Sequence, residues 1–416
     1  MPQTTDIPGA GSWKRNIALF LGGQCLSLFG SALAGYAIMW HITISTQSGS
    51  MMTISIICGI LPTFFMSPLG GVWADRFNRK YLINIADGII ALTTLILALL
   101  FLAGFRSIWL LYACSVIRAL GTGVQTPAVN ALIPQLTPEQ HLTRINGING
   151  SIQSLTMLVC PMLSGVLLTV SSLEYIFFID VITAAIGIAI VFFFVRLPPR
   201  AQTGEPGKPD YFNDLKAGFI YIGNHGYIKR FFLLCAFFMI LAAPLAFLTP
   251  LQVTRKFGPD VWRLTAVEIT WSLGMMLGGI LISLWGGFKN RIYSMALACA
   301  LLGLLALALG IAGNFWLYLG FMGAAGATMP LFNTPSMVML QERVEPAYMG
   351  RVFGVFSMIS GVVMPLGMLI FGPLGDAVSI DYLLYFSGGG IFLLSFTYII
   401  SKTLRTAGEK PAAKPD

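Results

Sequence analysis

An all-α membrane protein with twelve transmembrane helices, arranged as two pseudo-symmetric six-helix bundles, is the fold class the sequence predicts. Three observations predict it. The chain of 416 residues is 56% hydrophobic and only 10% charged, where a soluble domain carries about 25% charged residues. It contains twelve apolar segments, each long enough at about 20 residues to cross the hydrocarbon core. Landmarks of the first half recur in the second.

The segments run over 16–44, 51–73, 81–104, 108–132, 145–170, 173–196, 230–250, 264–286, 292–312, 315–338, 351–375 and 382–402. In lipid each must pair its backbone groups internally, so each is expected to be a helix. The first run is too long for the apolar core of a signal peptide, so no cleavable leader is expected. The cysteines Cys25, Cys58, Cys114, Cys160, Cys235 and Cys299 sit within or at the edges of apolar runs. They lack metal-type or C-x-x-C spacing, so they read as small packing residues.

Charge orients the chain. With the N-terminus in the cytoplasm, 20 of the 25 Lys and Arg fall on the inside. Only Arg106, Arg255, Lys256 and Arg263 fall outside, and Arg118 lies within a span. The positive-inside rule therefore places both termini in the cytoplasm. The net charge of +8 is explained by topology, and no nucleic-acid partner is implied.

Five regions follow: an N-terminal tail (1–15), a first bundle (16–196), a linker (197–229), a second bundle (230–402) and a C-terminal tail (403–416). The linker opens Leu197-Pro198-Pro199-Arg200, a linker composition. Then Phe212, Leu215, Phe219 and Ile222 recur at helical spacing, which predicts a short amphipathic helix at the cytoplasmic membrane surface.

The bundles repeat. Thr126-Pro127, Pro138, Arg144 and Pro161 are matched by Thr334-Pro335, Pro346, Arg351 and Pro365, at offsets of 208, 208, 207 and 204. Trp73, Asn78 and Arg79 match Trp285, Asn290 and Arg291 at a fixed offset of 212, but Gly287 replaces Asp75 and Phe288 replaces Arg76. Two similar six-helix halves are the signature of a transporter that rocks about a site near the bilayer midplane.

The stretch Gly71-x-x-x-Asp75-Arg76-x-x-Arg79-Lys80 resembles the loop 2–3 signature of the major facilitator superfamily, with Asn78 where that pattern usually has Gly. Arg118-Ala-Leu-Gly-Thr-Gly123 resembles its span 4 Arg motif, and Cys160-Pro161-Met-Leu-Ser164-Gly165 a degraded span 5 antiporter motif. With Ile60-Leu-Pro62, Ala86-Asp87, Ile179-Asp180-Val, Glu268-Ile-Thr and Met349-Gly-Arg351-Val-Phe353, the set resembles the macrolide-efflux (Mef-type) branch. The resemblance implies the major facilitator fold and proton-coupled drug export through a bacterial inner membrane by a monomer. It also implies that Asp75 docks on the cytoplasmic start of span 11, Gly350-Arg351, and stabilises the outward-facing state. Charge near a helix N-terminus and an Arg agrees with that, and Gly71 would let helices approach closely. The bases Arg76, Arg79 and Lys80 alone read as topology anchors.

Charged groups within spans cost about 2.5–3.5 kcal/mol on insertion scales, so each calls for a partner or a task. Arg118 lies roughly 15 Å into span 4, at 1.5 Å per residue. It either holds substrate near the midplane or forms a salt bridge that locks the first half. Asp87, two turns into span 3, is a candidate for proton steps or the structural partner of Arg118 or Arg79. Glu268, near the outer end of span 8 beside Trp271, is placed to take protons or attract a cationic drug; an ordinary helix-start acid is the alternative. Asp180 in span 6 reads as structural. Gln24, Ser27 and Ser31 share a face of span 1, either lining a cavity or joining helices. His41 reads as an interfacial packing residue.

There is no G-x-x-x-x-G-K-[ST], H-E-x-x-H or G-x-S-x-G. No catalytic residue, metal site or cofactor is expected, and the chain is not expected to be an enzyme. A gradient, or a separate ATP-binding or efflux partner protein, must supply energy. The expected partners are a small-molecule substrate, protons and the bilayer. The expected function is export of a hydrophobic drug, foremost a macrolide-like antibiotic, by proton antiport with alternating access. The alternatives are export of a specific metabolite or siderophore, import of a solute, and a non-transporting sensor on the same fold.

Overall fold

The computed structural model describes residues 12–197, 211–345 and 348–408. Residues 1–11 of the N-terminal tail, 198–210 of the linker and 409–416 of the C-terminal tail lie outside the described residues. Among the described residues, twelve helices are long and apolar enough to cross a membrane, and there is no strand.

In chain order the helices are α1 (Ser12–Thr46), α2 (Gly49–Arg76), α3 (Arg79–Leu102), α4 (Ile108–Leu136), α5 (Leu142–Val170) and α6 (Leu173–Ala189). There follow α7 (Tyr211–Asn224), α8 (Gly226–Ala243), α9 (Thr249–Phe257), α10 (Val261–Trp285) and α11 (Arg291–Ile311). The last are α12 (Phe315–Arg343), α13 (Met349–Ala377), α14 (Ile380–Ile400) and α15 (Lys402–Gly408). A π-helical turn at Pro244–Leu248 joins α8 to α9, so the seventh span runs Gly226–Phe257. The sequence pattern ended that span at 250. The extension places Arg255 and Lys256 on a helix, where Arg255 pairs with Asp376 at 3.1 Å and Lys256 with Asp381 at 3.2 Å.

The chain divides into two compact units, one of Met1–His41 with Ile57–Gly207, the other of Ile42–Ile56 with Lys208–Asp416. In the first, α3 packs on α4 and α6. A core of Ile17, Phe20, Ile83, Ala128, Leu132 and Val191 joins these helices to α1. In the second, α10 packs on α12, α11 on α12 and α14, and α8 on α13.

The turn after α1 and the start of α2 belong to the second unit. Asp376 accepts from the Gly49 N–H at 2.7 Å, the Ser50 N–H at 2.9 Å and the Ser48 hydroxyl at 2.8 Å. It thereby satisfies donors that open a helix and have no partner within it. The Thr53 hydroxyl donates to the Met368 carbonyl at 3.1 Å.

The repeated asparagines are N-caps. Asn78 accepts from the Lys80 N–H at 3.0 Å and Asn290 from the Ile292 N–H at 3.1 Å, the role short polar side chains serve at helix starts. The next residue is also used alike. The Arg79 guanidinium reaches the Ala131 carbonyl on α4 at 2.8 Å, and Arg291 pairs with Glu342 on α12. The stretches before them differ in backbone: α2 stays helical through Arg76, whereas α10 stops at Trp285. There Gly286 and Gly287 adopt φ +73° and +75°, a left-handed conformation that suits glycine. An acid cannot replace Gly287 without strain.

Helix α7 forms over the predicted amphipathic segment and packs against α13. Tyr221 stacks on Tyr348 at 4.5 Å. Of the four predicted apolar positions, Ile222 is buried and Phe219 is exposed, while the side chains of Phe212 and Leu215 lie outside the described residues. The buried face is therefore built on Tyr221 and Ile222.

Small residues set the α10–α12 contact. A Cβ at Gly278 would lie 2.2 Å from the Ala327 carbonyl, whereas one at Gly279 would meet open space. Overpacking costs about 1–3 kcal/mol. Gly278→Val should lower the apparent Tm of the detergent-purified protein by several degrees and Gly279→Val should leave it close to wild type, as read by a thermal size-exclusion assay.

Candidate functional site

Arg118 lies ten residues into α4, and its guanidinium donates to the carboxylate of Asp180 on α6 and to the Thr94 hydroxyl on α3. It also reaches the Ser31 carbonyl on α1 at 2.9 Å. Asp180 receives two further hydrogen bonds at 3.0 Å, from the Ser31 and Thr94 hydroxyls. Asp180 and Thr94 are fully buried and Arg118 nearly so. The pair ties four helices together, with its lone pairs and protons largely satisfied. The sequence offered Asp87 as the acid for Arg118; the structure pairs Arg118 with Asp180 instead. Arg118 does not line the cavity described next.

Asp87, about two turns before Thr94 on α3, is 3% exposed and has a different environment. The Gln24 amide on α1 donates to it at 3.3 Å, and Gln125 on α4 donates to the Gln24 carbonyl at 2.8 Å. Asp87 therefore has a neutral partner and Asp180 a cationic one. Neutralising Asp87 breaks no ion pair; neutralising Asp180 would strand Arg118. Ser27, grouped with Gln24 and Ser31 in the sequence, is buried beside Asp87. The polar face of α1 thus serves two separate acids.

A cavity of about 380 Å³ opens along α1, α4 and α5. Its polar lining comprises Gln24, Tyr36, Gln125, Thr126, Asn130, Asn149, Gln153 and Thr156, set among apolar residues such as Leu21, Leu28, Val129 and Met157. No charged side chain lines it. The cavity has a volume suited to a small-molecule site, and its wall leads through Gln24 to Asp87. Of the residues expected to line a path, only Gln24 borders this cavity. Gln125, Asn130, Asn149 and Gln153 were missed, although Asn149 and Gln153 stand four apart on one face of an apolar helix.

Glu268 and Trp271 lie one turn apart on α10 in the second unit. They border a smaller cavity, of about 100 Å³, with Leu245, Ala246, Thr249 and Met322. Among the described residues Glu268 makes no hydrogen bond or ion pair.

The loop 2–3 motif is a set of fastenings around one exposed acid. Arg79 donates to the Ala74 carbonyl at 3.0 Å, besides Ala131, and Lys80 to the Val195 carbonyl at 2.7 Å. These bonds satisfy carbonyls near helix ends. Arg76 is exposed. Asp75 stands 3.7 Å from Arg79, its side chain 55% exposed. The close approach expected of Gly71 falls one residue earlier: a Cβ at Gly70 would lie 2.5 Å from the Gly123 carbonyl, while one at Gly71 or Gly350 would meet open space. On a helix, one residue is about 100° of rotation, enough to turn Gly71 off the contact. The Arg351 guanidinium sits 5.5 Å from the Tyr348 ring centroid.

Removing one partner of a buried ion pair costs about 3–5 kcal/mol, because the other charge is left uncompensated. Asp180→Asn should therefore lower the folded yield and Tm sharply, and the double variant Asp180→Asn with Arg118→Gln should recover much of both. Thermal unfolding in detergent measures this.

The sequence profile of the Major Facilitator Superfamily matches residues 20–368. The chain is 28% identical to "Macrolide efflux protein A" of Streptococcus pyogenes over 391 residues, 94% of each chain. It is 23% identical to "Staphyloferrin A transporter" of Staphylococcus aureus, over 93% of this chain and 96% of that one. Among solved structures, a bacterial homologue of the human lysosomal transporter Spinster superposes with a TM-score of 0.70 at 15% identity, covering 97% of this chain and 100% of that one. Twelve spans, the loop 2–3 motif and a profile match over most of the chain agree, and the chain belongs to the major facilitator superfamily.

Proposed function

We propose that this transporter is a secondary active exporter of a hydrophobic drug or similar small molecule, foremost a macrolide-like antibiotic, driven by proton antiport with alternating access across a bacterial inner membrane. The observation that carries the reading is the Gln125–Gln24–Asp87 chain, which links the wall of the 380 Å³ cavity to a buried acid with no cationic partner. An acid so placed exchanges a proton without dismantling an ion pair, and occupancy of the cavity can be felt at Gln24. Amide and hydroxyl groups among apolar side chains suit a greasy cargo with neutral polar groups.

A second reading is export of a specific metabolite, in keeping with a relative named as a transporter of staphyloferrin A. The cavity lining weighs against it. A ligand with several carboxylates would find no Lys or Arg on this wall to offset its desolvation.

In this reading Asp75 is the switch of the loop 2–3 motif. It is exposed and loosely paired, so it can change partners, whereas Arg79 and Lys80 hold the helix ends without it. Asp75→Asn should accordingly leave protein levels near normal but cut efflux at least about tenfold, a barrier increase of about 1.4 kcal/mol.

Uphill efflux of a labelled macrolide from energised cells of an efflux-deficient bacterial host tests the coupling. A protonophore should abolish it, and Asp87→Asn should remove uphill efflux at near-normal protein levels. Efflux that persists with the proton gradient collapsed would rule out proton antiport.

A further inference from the structure

From the second unit we infer that the small cavity at Glu268 is a seat for a substituted-ammonium group, so that the transporter favours cargo tipped with a protonated amine. The inference rests on the export reading above and deepens it by naming a chemical feature of the substrate.

The chemistry of the lining points to that group. Glu268 brings a carboxylate with no hydrogen bond or ion pair among the described residues, in a span where an uncompensated charge is costly. Asp180 shows how this chain treats an acid that has only to hold helices together: it supplies a guanidinium and two hydroxyls. Glu268 has none of these, so it is either neutralised by its own proton or paired with a cation brought from outside the chain, and the rest of the lining favours the cation. One turn away, Trp271 brings an indole, the aromatic surface that best attracts organic cations. Thr249 adds a hydroxyl, and Leu245, Ala246 and Met322 complete an apolar wall. A carboxylate, an indole and aliphatic groups together match a nitrogen that carries both charge and alkyl groups. A divalent metal ion fits poorly: among the described residues no group of three His, Cys, Asp or Glu is gathered anywhere, and hard cations need several oxygen ligands.

Size limits the ligand to a tip. The cavity of about 100 Å³ holds roughly three waters at about 30 Å³ each, whereas a site for a whole drug is about 300–1,000 Å³. A dimethylammonium or trimethylammonium group fits within it, and the molecule bearing that group does not. The backbone is unusual at the same place. Leu245 and Ala246 lie in the π-helical turn that follows α8, and Pro244 at its start lacks the N–H that would close a normal helical turn. Single π turns inside helices recur at functional sites.

Two fluorescent probes of matched shape test the inference in inside-out vesicles. One is the dansyl amide of N,N-dimethylethylenediamine, cationic at neutral pH; the other is the dansyl amide of 3-methylbutylamine, its neutral isostere. The wild-type protein should transport the cationic probe with the lower half-saturating concentration. Glu268→Gln should reduce the preference for the cationic probe about tenfold, chiefly through that probe's half-saturating concentration. Trp271→Leu should reduce it in the same direction and Trp271→Phe should preserve most of it. Equal loss of both probes in Glu268→Gln, with wild-type transport intact, would overturn the amine seat and leave export standing; so would an unchanged preference. Wild-type vesicles that move a labelled macrolide but neither probe would overturn the amine seat alone, and vesicles that move none of the three would overturn export as well.

Discussion

The contact between Arg118 and Asp180 is the constraint on which the first unit depends. A guanidinium ten residues into a membrane-spanning helix cannot shed its charge. The surrounding helices must therefore bring it an acid, and α6 does so at a fully buried position. Thr94 and Ser31 fill the remaining hydrogen-bonding capacity of the pair, which fixes the rotation of α1 and α3 about their axes as well as their distance from α4. Such a pair is weak evidence for net stability, since apolar groups of the same shape often serve as well. Its value is specificity: few other packings of these four helices would leave both charges satisfied. With Arg118 committed, Asp87 is left with amides.

Much of this was legible in the chain. Span number follows from bilayer thickness, which makes a run of about 20 apolar residues hard to misread. The repeat was readable because landmarks such as Asn78 and Asn290 hold the same place in the chain, and the structure gives both the same task of capping a helix. The site was harder to read. Arg118 and Asp180 are 62 residues apart, and nothing local in α6 marks Asp180 as a partner. Assigning the close contact to Gly71 in place of Gly70 is a one-residue error in helical phase, which apolar periodicity cannot resolve when lipid and protein surfaces are both greasy. The cavity glutamines and asparagines went unread for a related reason. A neutral amide in a span is equally at home between helices and facing a cavity, and only the packing of α1, α4 and α5 separates the two.

The two units resemble each other in how their helices start and differ in what they do with acids. Asn78 and Asn290 cap alike, and Arg79 and Arg291 each reach across to the following helix. Beyond that the first unit buries Asp180 and Glu174 against cations and Asp87 against amides, while the second leaves Glu268 at the edge of a small apolar cavity. The stretch ahead of the asparagine diverges down to its backbone, since Gly286 and Gly287 end α10 where α2 continues through Asp75 and Arg76. Whatever Asp75 does has no counterpart in the second unit.

The same ion pair governs how the chain can be made. Arg118 emerges from the ribosome well before its partner, and at about 5–20 residues per second the 62 residues between them take roughly 3–12 s to synthesise. During that interval α4 carries an unneutralised guanidinium that costs about 2.5–3.5 kcal/mol to place at the bilayer centre. Pairing with α6 removes that cost, so the first unit reaches its full stability only once Asp180 has joined Arg118 in the membrane.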